Sequence, residues 1–141
     1  MPVKMLQANY HEHDRTGSII MEVAPTDLTP YIAYTWLEVV ERFTSGAFHR
    51  NAGHVLQALL RGNRLGLAFQ EYHASYPHKR YTMGYAGRPG GPAFYVSTED
   101  NTRNHGPGSQ GSATEADGCI GRVVKGLAVI KAMQHQPGKG K

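Results

Sequence analysis

Eight histidines, one cysteine and 11 acidic residues supply the side chains that could do metal or nucleophile chemistry in this sequence. His11, Glu12, His13 and Asp14 form an HEHD run, and alternate positions on a strand would put both imidazoles on one face. No third ligand at fixed spacing accompanies them, so incidental affinity for nickel or zinc is expected and no metal site is assigned. Serine, histidine and aspartate are all present, yet no strand-turn-helix elbow sets a serine beside a base. Cys119 lies in the apolar run CIGRVV, where a thiol packs more often than it reacts, and a lone cysteine makes no intrachain disulfide. His105 stands in NHGPG, whose glycines would let backbone come close to a ligand; a solvated turn is the plainer expectation.

Charge narrows the classes further. Fifteen Lys+Arg against 11 Asp+Glu gives +4, but Lys125, Lys131, Lys139 and Lys141 gather toward the C-terminal end. No basic stripe of the kind that follows a phosphate backbone is present, so no nucleic-acid partner is expected. No apolar run of about 18 residues exists, and the opening MPVKMLQANYHEHD lacks the apolar centre of a signal peptide. A soluble domain, cytoplasmic by default, is expected; the compartment, the oligomeric state and any flanking segments of a longer precursor stay open.

The elements that must position any site are short. At 141 residues the chain has the length of one domain, and 17 Gly and 8 Pro point to many turns. VKMLQANY (Val3 to Tyr10) and SIIMEV (Ser18 to Val23) read as two strands of a hairpin, joined by HEHDRTG with Gly17 as a turn residue. Thr29 as N-cap and Pro30 at the first helical position open a helix of about 14 residues whose stripe is Ile32, Trp36, Val39 or Val40, and Phe43. AFHR, HVLQALL, YTMGYAG, AFYVS and CIGRVV read as further short strands, with Arg61 to Arg80 and Asn101 to Gly118 as loops. LAVIKAM makes a short helix with Leu127, Ile130 and Met133 on one side. About seven strands and two distant helices argue for a mainly β barrel or sandwich with helices at its ends, not a parallel α/β sheet. The domain is expected to span 1–134, followed by a flexible basic tail at 135–141.

The order of these segments resembles the cyclophilins. Carrying the likeness are GSIIMEV, the Pro-started helix, Phe48-His49-Arg50 with Gln57 beyond it, TMGYAG, AFYVS and CIGRVVKGLAVIKAM, together nearly the whole chain from Val3 to Met133. The resemblance implies the cyclophilin-like antiparallel barrel with two flanking helices and that family's final strand missing here, so that either the sequence is a piece of a longer chain or the barrel has an open edge. It also implies peptidyl-prolyl cis-trans isomerisation of a proline-containing peptide or protein segment, with no cofactor.

By that resemblance Arg50 is the catalytic cation, Gln57 fixes the substrate carbonyl, Tyr95 floors the proline pocket and Val55 lines it. Departures from the family pattern accompany these matches. One residue is deleted between Arg50 and Gln57, and His54 replaces an apolar pocket wall. Gly84 and Tyr85 stand where the family pairs with substrate backbone, so Gly84 is expected to offer backbone contacts. The family's pocket tryptophan and histidine are absent, the only tryptophan being Trp36 in the helix. Asp117 falls near the lost histidine, where it could pair with Arg50. Two readings follow: an isomerase of low activity, or an inactive module that binds peptides or serves a larger assembly.

Overall fold

A computed structural model describes residues 5–12, 15–62, 65–87 and 89–136, with side chains from Gly17 onward except Gln110. Seven strands form one antiparallel sheet: β1 (Met5–Glu12), β2 (Arg15–Val23), β3 (Ser45–Asn51), β4 (Val55–Arg61), β5 (Thr82–Tyr85), β6 (Phe94–Ser97) and β7 (Cys119–Lys125). Their spatial order is β1-β2-β7-β5-β6-β4-β3, which leaves β1 and β3 as the two ends of the sheet. Three helices accompany it: α1 (Pro30–Arg42), α2 (Thr102–His105) and α3 (Leu127–Gln134). The sheet curls into an open barrel around one core, and no strand follows α3 among the described residues.

Alternation along the strands decides which side chains enter that core. Leu56, Ala58 and Leu60 of β4, Met83 and Tyr85 of β5, and Phe94 and Val96 of β6 point inward, joined by Ile19, Met21, Ile120 and Val123. From α1 come Ile32, Trp36 and Val39; Trp36 sets its ring edge-on to Phe94 at 4.9 Å and to Tyr85 at 6.2 Å. Tyr85 is therefore a core residue.

Several local expectations are corrected. Phe43 is 40% exposed because α1 ends at Arg42 and Phe43 is already extended, so it leaves the apolar stripe. Thr29 makes no side-chain capping bond. Its place is taken by Glu71, whose carboxylate accepts from the backbone N–H of Tyr31 at 3.3 Å and of Ile32 at 2.9 Å. An anion there meets both the orphan donors and the positive end of the helix dipole. Gly17 sits within β2 rather than in the turn, at a point where a Cβ would press on Val129 of α3. Leu127 stays exposed while Ile130 and Met133 are buried. The side chains of the HEHD run lie outside the described residues, as does most of the expected tail, residues 137–141.

The segment 101–118, expected to be a plain loop, holds α2 and a single 3-10 turn at Ser109–Gly111. Four residues are too few for a periodic signal. Asp100 supports this turn by accepting from the Thr102 N–H at 3.0 Å and its hydroxyl at 2.6 Å. Those bonds, with Lys79 Nζ at 3.1 Å, hold the Asp100 carboxyl down at about 2.

Candidate functional site

Four of the expected site residues fall on one transverse row of the sheet. Arg50 on β3 is paired with Gln57 on β4, Gln57 with Tyr95 on β6, and Tyr95 with Gly84 on β5; Gly84 then faces Cys119 on β7. Directly opposed residues of an antiparallel pair share a face. The neighbours Leu56, Ala58, Phe94, Val96 and Met83 belong to the core, so the row lies on the outer face.

Arg50 reaches that face through a β-bulge. Phe48 pairs with the core residue Ala58 and packs edge-on against Phe94 at 6.2 Å, and in a regular strand Arg50, two residues on, would point the same way. The register shifts between Phe48 and Arg50, so His49 is the extra residue and Arg50 is turned outward beside Gln57. Arg50 Nη1 donates to Gln57 Oε1 at 3.2 Å. Because that oxygen accepts from the guanidinium, the amide of Gln57 is oriented with its N–H₂ group available in direction to a second acceptor.

Tyr95 and Val55 are each only 2% exposed although they lie on the outer face, so other groups cover them. Over Tyr95 lies His105, ring to ring at 4.6 Å, and His54 stacks on His105 at 5.4 Å. Asp117 Oδ2 ties the arrangement together, accepting from the Tyr95 hydroxyl at 3.0 Å and pairing with His105 Nδ1 at 2.8 Å. His105 is thus packed against the site rather than solvated, contrary to expectation. Asp117, expected to compete for Arg50, holds Tyr95 and His105.

Gly84 has its reason here as well. A Cβ on it would run into the hydroxyl end of the Tyr95 ring, so the glycine lets that ring lie flat across β5 toward Asp117. The backbone expected to face substrate is buried beneath Tyr95.

Under this layer sits His78, fully buried, in a stretch without sequence pattern. Its Nε2 donates to the Asp117 carbonyl at 2.7 Å, which leaves Nδ1 to accept from the Cys119 thiol at 3.3 Å. Burial pulls the His78 pKa down to about 4, with the carbonyl bond opposing. Burial also pushes the Cys119 thiol far up, so the two form a neutral pair and not a thiolate with an imidazolium. Cys119 is inert packing.

Asn101, also fully buried, links these segments. Its N–H donates to the His78 carbonyl at 2.8 Å, its Nδ2 to the His54 carbonyl at 2.8 Å, and its carbonyl accepts from the His105 N–H at 2.9 Å. Neither His78 nor Asn101 could be found from sequence, since each acts on residues more than 20 positions away or through backbone atoms. Among the described residues no group of three or more His, Cys, Asp or Glu side chains is placed to hold a metal, and no helix is long and apolar enough to cross a membrane.

No protein-family model and no curated protein matches the sequence. Among solved structures the chain is similar to a cyclophilin-type peptidyl-prolyl cis-trans isomerase of Cryptosporidium parvum, with TM-score 0.65 and 13% identity over 86% of this chain and 80% of that one. The same isomerase in the presence of the dipeptide Ala-Pro matches with TM-score 0.60, again at 13% identity, over 86% of this chain and 81% of that one. At such identity the likeness is one of fold: this chain has the cyclophilin fold.

Proposed function

We propose that this domain is a peptidyl-prolyl cis-trans isomerase of low activity, acting on X-Pro bonds of peptides or proteins at the Arg50 row. The observation that carries this is the placement of Arg50 beside Gln57 on the outer face, next to Tyr95 in register. Rotation about a peptide bond is opposed by about 18–20 kcal/mol of resonance, so a catalyst needs no nucleophile, base or metal. It needs a donor to the prolyl nitrogen, which localises the lone pair and weakens the C–N double-bond character. A guanidinium held beside a rigid amide serves that purpose, and its effect grows where water is excluded.

In this scheme Arg50 donates to the prolyl nitrogen while Gln57 donates its amide N–H to the substrate carbonyl. The prolyl ring lies against Tyr95 and Val55, with His54 at the wall. Because Gly84 is beneath Tyr95, it makes room for the floor and does not meet substrate itself. The Ala-Pro dipeptide present with the Cryptosporidium isomerase supports a proline-containing peptide as the ligand class.

A second reading, a module that binds proline peptides or braces a larger assembly without catalysis, draws support from the burial of Tyr95 and Val55. Titration of ¹⁵N-labelled protein with a tetrapeptide containing Ala-Pro tests the site. Shifts centred on Arg50, Gln57 and Tyr95 are expected; shifts centred elsewhere, or none at saturating peptide, would contradict it.

A further inference from the structure

We infer that His105 determines access to this site, its imidazole occupying from within the chain the place over Tyr95 that a prolyl ring would take; this rests on the isomerase-type reading of Tyr95. The two rings are of one size class. His105 lies between Tyr95, at 4.6 Å, and His54, at 5.4 Å, so it fills the space between the expected floor and wall.

The fit is imperfect in a way that suits a removable group. His105 Nδ1 is satisfied by Asp117, but Nε2 is buried with no hydrogen-bond partner among the described residues. A buried polar nitrogen without a partner is costly, and turning the ring into water would hydrate it. The carbons of a pyrrolidine ring carry no such group and would cover Tyr95 without that cost.

The movable part is the side chain. The His105 backbone is held on both sides, its N–H donating to Asn101 at 2.9 Å and its carbonyl accepting from the Asp117 N–H at 2.8 Å. Rotation about the Cα–Cβ bond breaks the Asp117 contact and the ring contacts with Tyr95, His54 and His78, the last a tilted one at 5.8 Å. Asp117 keeps the Tyr95 hydroxyl bond at 3.0 Å, so the floor stays in place when the ring leaves. Low affinity of the resting protein for proline peptides follows from this competition, without any change in Arg50 or Gln57.

The test compares wild type, His105→Ala and His105→Phe by NMR titration with the same Ala-Pro tetrapeptide. His105→Ala is expected to bind about tenfold more tightly, a free-energy change of about 1.4 kcal/mol, and His105→Phe no more tightly than wild type. In wild type, nuclear Overhauser contacts between the His105 and Tyr95 rings should vanish at saturation, a readout that does not depend on any variant folding. Binding to wild type with those contacts intact, or equal affinity of a folded His105→Ala, overturns the inference and leaves the isomerase reading standing. Absence of binding to wild type and to folded His105→Ala alike overturns both.

Discussion

Gly84 and Tyr95 show at the residue scale how one small side chain fixes the shape of the site. The Tyr95 ring lies where a Cβ on Gly84 would be, and its hydroxyl reaches the buried Asp117. Gly84→Ala is expected to push that ring away and destabilise the fold by about 1–3 kcal/mol. An unchanged urea midpoint would show that the ring can shift freely. Tyr95→Phe isolates the hydroxyl: taking a donor from a buried carboxylate is expected to cost about 1–3 kcal/mol, and a loss near zero would mean Asp117 is satisfied without it. Arg50, Gln57, Tyr95 and Gly84 could be grouped because they lie in strands whose segment order resembles a family, although Gly84 proves to lie beneath Tyr95. Asp117 and His105 could be named near the site but not their partners, and His78 carried no signal at all. Their contacts join residues 12 to 41 positions apart through loops, where no periodicity carries information.

The strands and the long helix were readable as elements because alternation and the Pro30 start are local signals. What escaped was their fastening. α1 begins on Pro30 as expected, yet its cap comes from Glu71, 39 and 40 positions away from the N–H groups it serves. Glu71→Gln is therefore expected to lower stability by about 1 kcal/mol, through loss of charge at the helix N-terminus and weaker acceptance. Urea melts would check this, and equal stability at low ionic strength would assign the capping to another group. α2 has the same lesson on a smaller scale, since its single turn depends on Asp100 and Asn101 rather than on an apolar pattern. The bulge at His49 is legible only after the register is known, although Phe48 and Arg50 at even spacing with opposite polarity hint at it.

Taken as a whole, the molecule carries a core on one face of its sheet and a buried polar layer on part of the other. That layer ties global stability to pH through His78. Unfolded, this imidazole takes a proton near its ordinary pKa of about 6.5. Folded, it does so only near 4. Between those values the unfolded state binds more protons, so stability is full above about pH 6.5 and falls as pH drops toward 4, by about 3 kcal/mol in total. His78→Gln can still donate to the Asp117 carbonyl but does not titrate, so its urea midpoints should vary less across that window. An equal pH slope in the variant would place the titrating group elsewhere. The central claim is that Arg50, turned outward by the bulge and steadied by Gln57, catalyses prolyl isomerisation. Exchange NMR on Ala-Pro tetrapeptides measures this directly, with wild type and Arg50→Ala at equal concentration. Enhanced cis-to-trans exchange with wild type that falls at least tenfold in a folded Arg50→Ala is the expected result. Equal enhancement by both proteins, or none by folded wild type, would contradict it.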